Sequence, residues 1–248
     1  MLADYKLLKF MKFLLTLLLF SLFIKLSFAQ DSLFTNLFTL KAEIASRYPW
    51  RGFPGVKCPH VLPAFEYYQN GFLAGISGDY TLGDQFYEEI DLYLGYSFKN
   101  ISFIIADYYI PRNDSLFKGF WGFKNATTNH VFDGTIQITG SEKVPVYLMF
   151  SGILFFETIG GKVKNKIAPY LEAGFPISYK GISLKTFCGT SLKEGFYSEK
   201  PGIINAGFMA EAPVIISEKI QIPIRLYFVN NFVRHDAYLA ASIIIKAL

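Results

Sequence analysis

No apolar stretch beyond residue 29 is long enough to cross a bilayer as a helix. The longest, at 144–156, is interrupted by Pro145 and Gly152, whereas a spanning helix needs about 20 apolar residues in a row. Helical membrane topology is excluded on that ground. Cysteine is nearly absent: Cys58 and Cys188 cannot supply a disulfide framework for a chain of this length, and the sequence leaves open whether the two pair. His60, His130 and His235 are dispersed, and neither cysteine has a neighbouring ligand, so no metal is expected and no cofactor either. Runs of lysine and arginine are missing, which removes the electrostatic footprint of a nucleic-acid binder.

What is present begins with an address. Met11 and Lys12 precede the apolar run FLLTLLLFSLFI, and Ser27 and Ala29 stand just before Gln30, the small-residue spacing that a signal peptidase reads. Residues 1–29 are therefore expected to be a signal peptide, with Met11 as an alternative start, and 30–248 to form one exported domain. Without the leader, 20 basic and 19 acidic residues remain, close to neutrality. Aromatic residues make up 18% of the chain, with 26 Phe and 16 Tyr. So many rings need a large apolar surface to cover.

Period-two patterning dominates the rest. In EEIDLYLGYSF, Ile90, Leu92, Leu94, Tyr96 and Phe98 share one face, and Glu89, Asp91, Tyr93, Gly95 and Ser97 share the other, as successive residues of a strand must. Twelve such segments are predicted, near 38–47, 61–69, 71–79, 87–98, 101–110, 130–140, 144–156, 166–176, 181–190, 202–216, 219–229 and 237–246, within a range of 10 to 14 strands. Asn70-Gly71 is a favoured two-residue hairpin turn, and Lys99-Asn100, 141–143, 179–181 and 217–219 give comparably tight returns. Longer connections at 48–60, 81–86, 111–129, 158–165, 191–201 and 230–236 alternate with them.

That alternation predicts an all-β fold: a closed antiparallel transmembrane barrel with short periplasmic turns and long extracellular loops, in a bacterial outer membrane. A sandwich has no reason to sort turns by end, and an open sheet edge in hydrocarbon would leave backbone groups unpaired at several kcal/mol each. A charge facing lipid costs roughly 2–4 kcal/mol near the midplane, so the charged faces must line the lumen. Ile220, Ile222, Ile224, Leu226 and Phe228 then face lipid while Gln221, Arg225 and Tyr227 face inward; Ile204, Ala206, Phe208 and Ala210 face lipid against Asn205, Gly207 and Glu211. The expected pore lining is Lys41, Glu43, Arg47, Glu66, Glu89, Asp91, Asp107, Asp133, Glu172, Lys185, Glu211 and Arg225, eight acidic positions to four basic.

Two uses of such a lumen compete. One is a plug of ion pairs and tyrosines that satisfy one another; the other is a constricted polar path whose acidic bias favours cations or neutral solutes. An enzyme on the outer wall would need a Ser within reach of a His base, and a strand offers that pairing two positions apart. No His-x-Ser occurs at His60, His130 or His235, so no enzyme is expected. In the loop 111–129, Phe117, Phe120, Trp121 and Phe123 with Lys118 and Lys124 either enter the mouth as a constriction or pack at headgroup level as part of an aromatic girdle, the arrangement favoured here.

The stretch 46–111 carries SRYPWRG with Tyr48, Arg51 and Gly52, then Pro63 leading to EYYQNGFLAG with Gly71, Phe72 and Gly75, then EEIDLYLGY, then DYYIP. In order and spacing this resembles the signature region of the TorF-like porins, exported bacterial barrels. Beyond residue 111 only the strand rhythm agrees. The resemblance implies an outer-membrane barrel with Arg51 at the top of the first strand and Asp91 and Asp107 inside as polar anchors, and a porin or narrow channel passing small solutes passively, with outer-membrane lipid as surroundings. A non-conducting structural or partner-binding barrel is the alternative, and a lipid-modifying barrel enzyme a more distant one. One departure stands out: the chain ends SIIIKAL, where outer-membrane strands often finish on an aromatic residue.

Overall fold

The computed structural model describes residues 37–53, 55–83, 86–111, 119–123, 128–159, 162–217 and 220–247; the expected signal peptide lies outside them. Twelve strands follow in order: β1 (Phe38–Ala45), β2 (His60–Gln69), β3 (Phe72–Thr81), β4 (Glu88–Phe98), β5 (Ile101–Tyr109), β6 (His130–Ser141), β7 (Val144–Ile159), β8 (Lys162–Tyr179), β9 (Ile182–Ser191), β10 (Gly202–Ser217), β11 (Ile220–Asn231) and β12 (Asp236–Ala247). Each pairs antiparallel with its neighbours in sequence, and β12 returns to β1 from Leu40↔Ala247 to Ala45↔Ser242. Closure leaves no sheet edge. The final strand forms in full despite its non-aromatic ending.

Turn chemistry sets the register. Asn70 and Gly71 both take positive φ, 49° and 85°, which matches a hairpin turn to the right-handed twist of its strands, and the ladder starts at once with Gln69↔Phe72. Lys180 and Gly181 repeat the device at 49° and 79°. The connection expected at 158–165 is different: β7 runs on to Ile159 and β8 begins at Lys162, paired with it. Gly160-Gly161 is itself a two-residue hairpin signal, and the alternating Lys162, Lys164 and Lys166 suit a strand as well as a loop.

One wall faces out and is apolar: Leu94 is 57% exposed, Ile105 opposite it 70% and Leu239 74%. The other faces in, and its burial is graded. Along β6 the inward positions Val131 and Asp133 are buried, Thr135 and Gln137 half-buried, and Thr139 exposed. The lumen is therefore filled at the long-loop end and opens toward the short turns. The buried cluster that fills it joins Val131, Ile153, Ala168, Tyr170, Tyr197 and Ile204.

Ile204 belongs to that cluster because of a bulge. β10 pairs Ile203 with Thr190 but Asn205 with Gly189, so one residue is extra, and a bulge of this kind turns two consecutive side chains to one face. Ile204 is 1% exposed, on the inner side and not on the outer wall where strict alternation puts it. Tyrosines lying across glycines fill the lumen further down: a Cβ on Gly75 would stand 2.4 Å from the Tyr93 ring, and one on Gly174 2.2 Å from the Tyr147 ring, each ring sitting on the strand directly opposite. Cys58 and Cys188 are free.

Candidate functional site in the barrel lumen

The loop after β1 turns back into the barrel instead of rising from it. Arg51 and Gly52 take positive φ, 46° and 67°, and a Cβ on Gly52 would lie 1.8 Å from the Ile204 carbonyl oxygen, so only glycine fits between loop and wall. Asn231 Nδ2 donates to the Gly52 carbonyl at 3.1 Å. The turn aims Arg51 across the lumen, where Nη1 meets Asp133 Oδ2 at 2.8 Å, Ser151 Oγ at 2.8 Å and Tyr197 Oη at 2.6 Å, and Nη2 meets Thr135 Oγ1 at 2.9 Å. Trp50 packs edge-on to Tyr108 and Phe196 and tilted on Tyr197. Trp50, Arg51 and Phe53 from one loop thus form a plug with Phe196 and Tyr197 from another.

Charge inside the plug is strongly held. Burial works against the Arg51 cation, but the oxygens of Tyr197 and Asp133 outweigh it and raise the guanidinium above its ordinary value. Burial pushes the Tyr197 phenol up to about 12, against the pull of Arg51. Asp133 also accepts from Ser151 at 2.6 Å and Tyr108 at 3.0 Å.

Of the expected lining residues, eleven lie on the inner face, and the structure gathers them into groups. Glu172 accepts from Tyr147 at 2.6 Å, Tyr170 at 2.5 Å and Asn205 at 2.8 Å, with the Lys185 ammonium 4.0 Å away. Arg225 spans β12 to join Glu211 at 2.5 Å and Glu43 at 3.2 Å. Lys41 meets Glu66 at 2.9 Å, and Tyr93 donates to the same carboxylate at 2.7 Å. Arg47 lies 4.0 Å over the Tyr238 ring. These contacts cross-link the β6–β12 and β1–β2 side of the lumen.

Glu89 and Asp91 stand apart from that pairing. Tyr87 donates to Glu89, Ser77 donates to Asp91 Oδ2 at 2.8 Å, and the Glu89 and Asp91 carboxyl groups are hydrogen-bonded to each other. Asp79 beside them accepts from His60 Nδ1 at 2.5 Å, and the other ring nitrogen faces the Val56 carbonyl at 3.2 Å. The ring is thus held between two oxygens, one from the Asp79 carboxyl group and one from the backbone. The Tyr48 phenol above this group is held well above its ordinary value, first by burial and then by the negative charge of Glu89 and Asp91.

Two cavities run along this side. The upper, about 620 Å³, is walled by Tyr48, Trp50, Phe53, Tyr87, Tyr93, Tyr108 and Phe196 with Asp79, Glu89 and Asp91; the lower, about 300 Å³, includes Arg51, Gly95, Ser97, Ser102, Thr135 and Gln137. Both are bounded by Ile104 and Tyr108. Among the described residues no cluster of three His, Cys, Asp or Glu could hold a metal ion.

Asp107 is the exception to the expected lining. It pairs with Leu92 and Phe132 across the ladder and so stands on the outer wall, where His130 Nδ1 meets both its oxygens at 2.9 Å. His130 Nε2 reaches the Phe120 carbonyl at 2.7 Å, and Phe123 stacks on the imidazole at 4.4 Å. The segment 119–123 therefore folds down over the outside of the barrel, not into its mouth, with Trp121 84% exposed. Phe117, Lys118 and Lys124 lie outside the described residues.

Sequence reasoning passed over Tyr197, Ser151 and the His60–Asp79 pair, and named Arg51 as a polar anchor without partners. No family model matches the chain, and no curated protein does either.

Proposed function

We propose that the protein is a bacterial outer-membrane barrel of the TorF-like porin kind that passes small solutes along its β3–β6 wall, beside the loop plug. The observation that carries this reading is the pair of cavities sharing Ile104 and Tyr108: the cross-section is cross-linked on one side and hollow on the other. The membrane part rests on the outer wall, where large apolar side chains such as Phe65, Leu94, Ile105, Phe150 and Leu239 are exposed all round, a surface no water-soluble monomer leaves bare. Lipid supplies the missing partner for that surface, and closure satisfies every ladder.

In this reading the short turns face the periplasm and the plug faces outward. Solutes meet Glu89 and Asp91 first and the smaller chamber under Tyr108 second, so the path favours cations. No chemistry is assigned to it: the ring nitrogens of His60 and His130 already face fixed acceptors, and neither is placed to act as a base. Planar-bilayer recording of refolded protein tests the proposal. Small cation-selective openings that lose or invert their selectivity in Asp91→Lys support it. A silent protein removes it in favour of the structural barrel that the plug by itself would suit.

A further inference from the structure

We infer that the upper chamber is a binding site for a small organic cation, an alkylammonium group held between aromatic faces and the Glu89–Asp91 carboxylates. The inference rests on the channel reading and narrows its substrate class.

Three features of the cavity point the same way. Its lining holds three carboxylates and neither lysine nor arginine. Asp79 is paired with His60, whereas Glu89 and Asp91 are hydrogen-bonded to each other and among the described residues otherwise receive hydrogens only from the hydroxyls of Tyr87 and Ser77. A buried carboxylate left in this condition is poised for a cationic guest.

The rest of the wall says which kind. Tyr48, Trp50 and Tyr108 present rings to the chamber, and ring faces attract cations whose hydration is weak. A hard metal ion would need six or more oxygens close together, and among the described residues no such ligand cluster exists. A volume of about 620 Å³ is the size of a small-molecule site and far larger than a bare ion requires. The chain displays the same chemistry with its own side chain: the Arg51 guanidinium lies 5.0 Å from the Trp50 ring and 5.9 Å from the Tyr197 ring while it pairs with Asp133.

The test uses the mature full-length protein in a non-ionic detergent, with Trp121→Phe so that Trp50 is the sole tryptophan. Tetraethylammonium chloride is titrated against sodium chloride at matched ionic strength, with Trp50 emission and heat of binding as readouts. A saturable response to tetraethylammonium, absent with sodium and weakened at least about tenfold in Asp91→Asn and in Glu89→Gln, supports the site. An equal response to sodium, no saturation, or unchanged affinity in a variant that retains heat-modifiable migration overturns it. If neither variant folds, the comparison of the two salts on the parent protein decides. Bilayer recording separates the two proposals: binding without openings leaves the site and removes the channel, and openings without binding do the reverse.

Discussion

Replacing Arg51 with Met tests the plug at its anchor. Methionine keeps much of the apolar stem of the side chain, so the loss falls on the charge. Asp133, with its side chain 2% exposed, is then left as an unpaired buried carboxylate held by the hydroxyls of Ser151, Tyr108 and Thr135. Breaking one half of a buried pair costs about 3–5 kcal/mol. Asp133→Asn breaks the same pair from the other side and leaves Arg51 stranded. The double variant strands neither charge, so its destabilisation is expected to fall short of the sum of the single effects by about 2–3 kcal/mol. Urea unfolding in phospholipid vesicles, followed by the heat-modifiable fraction, gives all four corners of the cycle. The same Arg51→Met protein is expected to show larger openings in a bilayer, because the loop loses four hydrogen bonds to the wall and to Tyr197. Strictly additive penalties, or an Arg51→Met protein as stable as the parent, would refute the assignment of Arg51 as the plug's anchor.

Two further outcomes follow from single contacts. The Tyr197 phenol titrates at about 12 in the fold against about 10 in the unfolded chain, so its contribution of about 2–3 kcal/mol is complete below pH 10 and is lost as pH rises toward 12; Tyr197→Phe is expected to flatten that alkaline loss in unfolding curves, and an unchanged slope contradicts it. His130→Leu removes the clasp to Asp107 and to the Phe120 carbonyl, at a cost of about 1–3 kcal/mol for each group left unsatisfied. Faster trypsin cleavage after Lys118 or Lys124 is the expected sign, and cleavage at the parent rate tells against the clasp.

Strand number, order and most faces were legible because each wall position carries its own signal. A residue in a closed sheet sees either the outside or the lumen, and Lys41, Glu43, Glu66, Glu89, Asp91, Asp133 and Arg225 declare their side by charge. Asp107 defeated that rule. Its strand, Ile101–Tyr109, has apolar residues on both faces, so charge alone decided, and the His130 ring with its loop cover shelters a carboxylate on the outside. Ile204 was misplaced because a bulge shifts parity without marking the sequence.

The plug was legible only in part. Gly52 and the Arg51 motif stood out by resemblance, but their partners lie 82 to 179 residues away, and nothing local announces that a loop descends. Tyr197 sits in a loop with no pattern of its own. Its role exists only once Arg51 is inside.

The claim beneath every other is that the apolar wall touches acyl chains. A nitroxide at Ile105→Cys, with Cys58 and Cys188 replaced by Ser, reports on it in phospholipid vesicles, since Ile105 is 70% exposed on the outer face. Frequent collisions with dissolved oxygen and few with a water-soluble nickel chelate are predicted. Ready access by the chelate, at the level of a label in bulk water, would contradict the account.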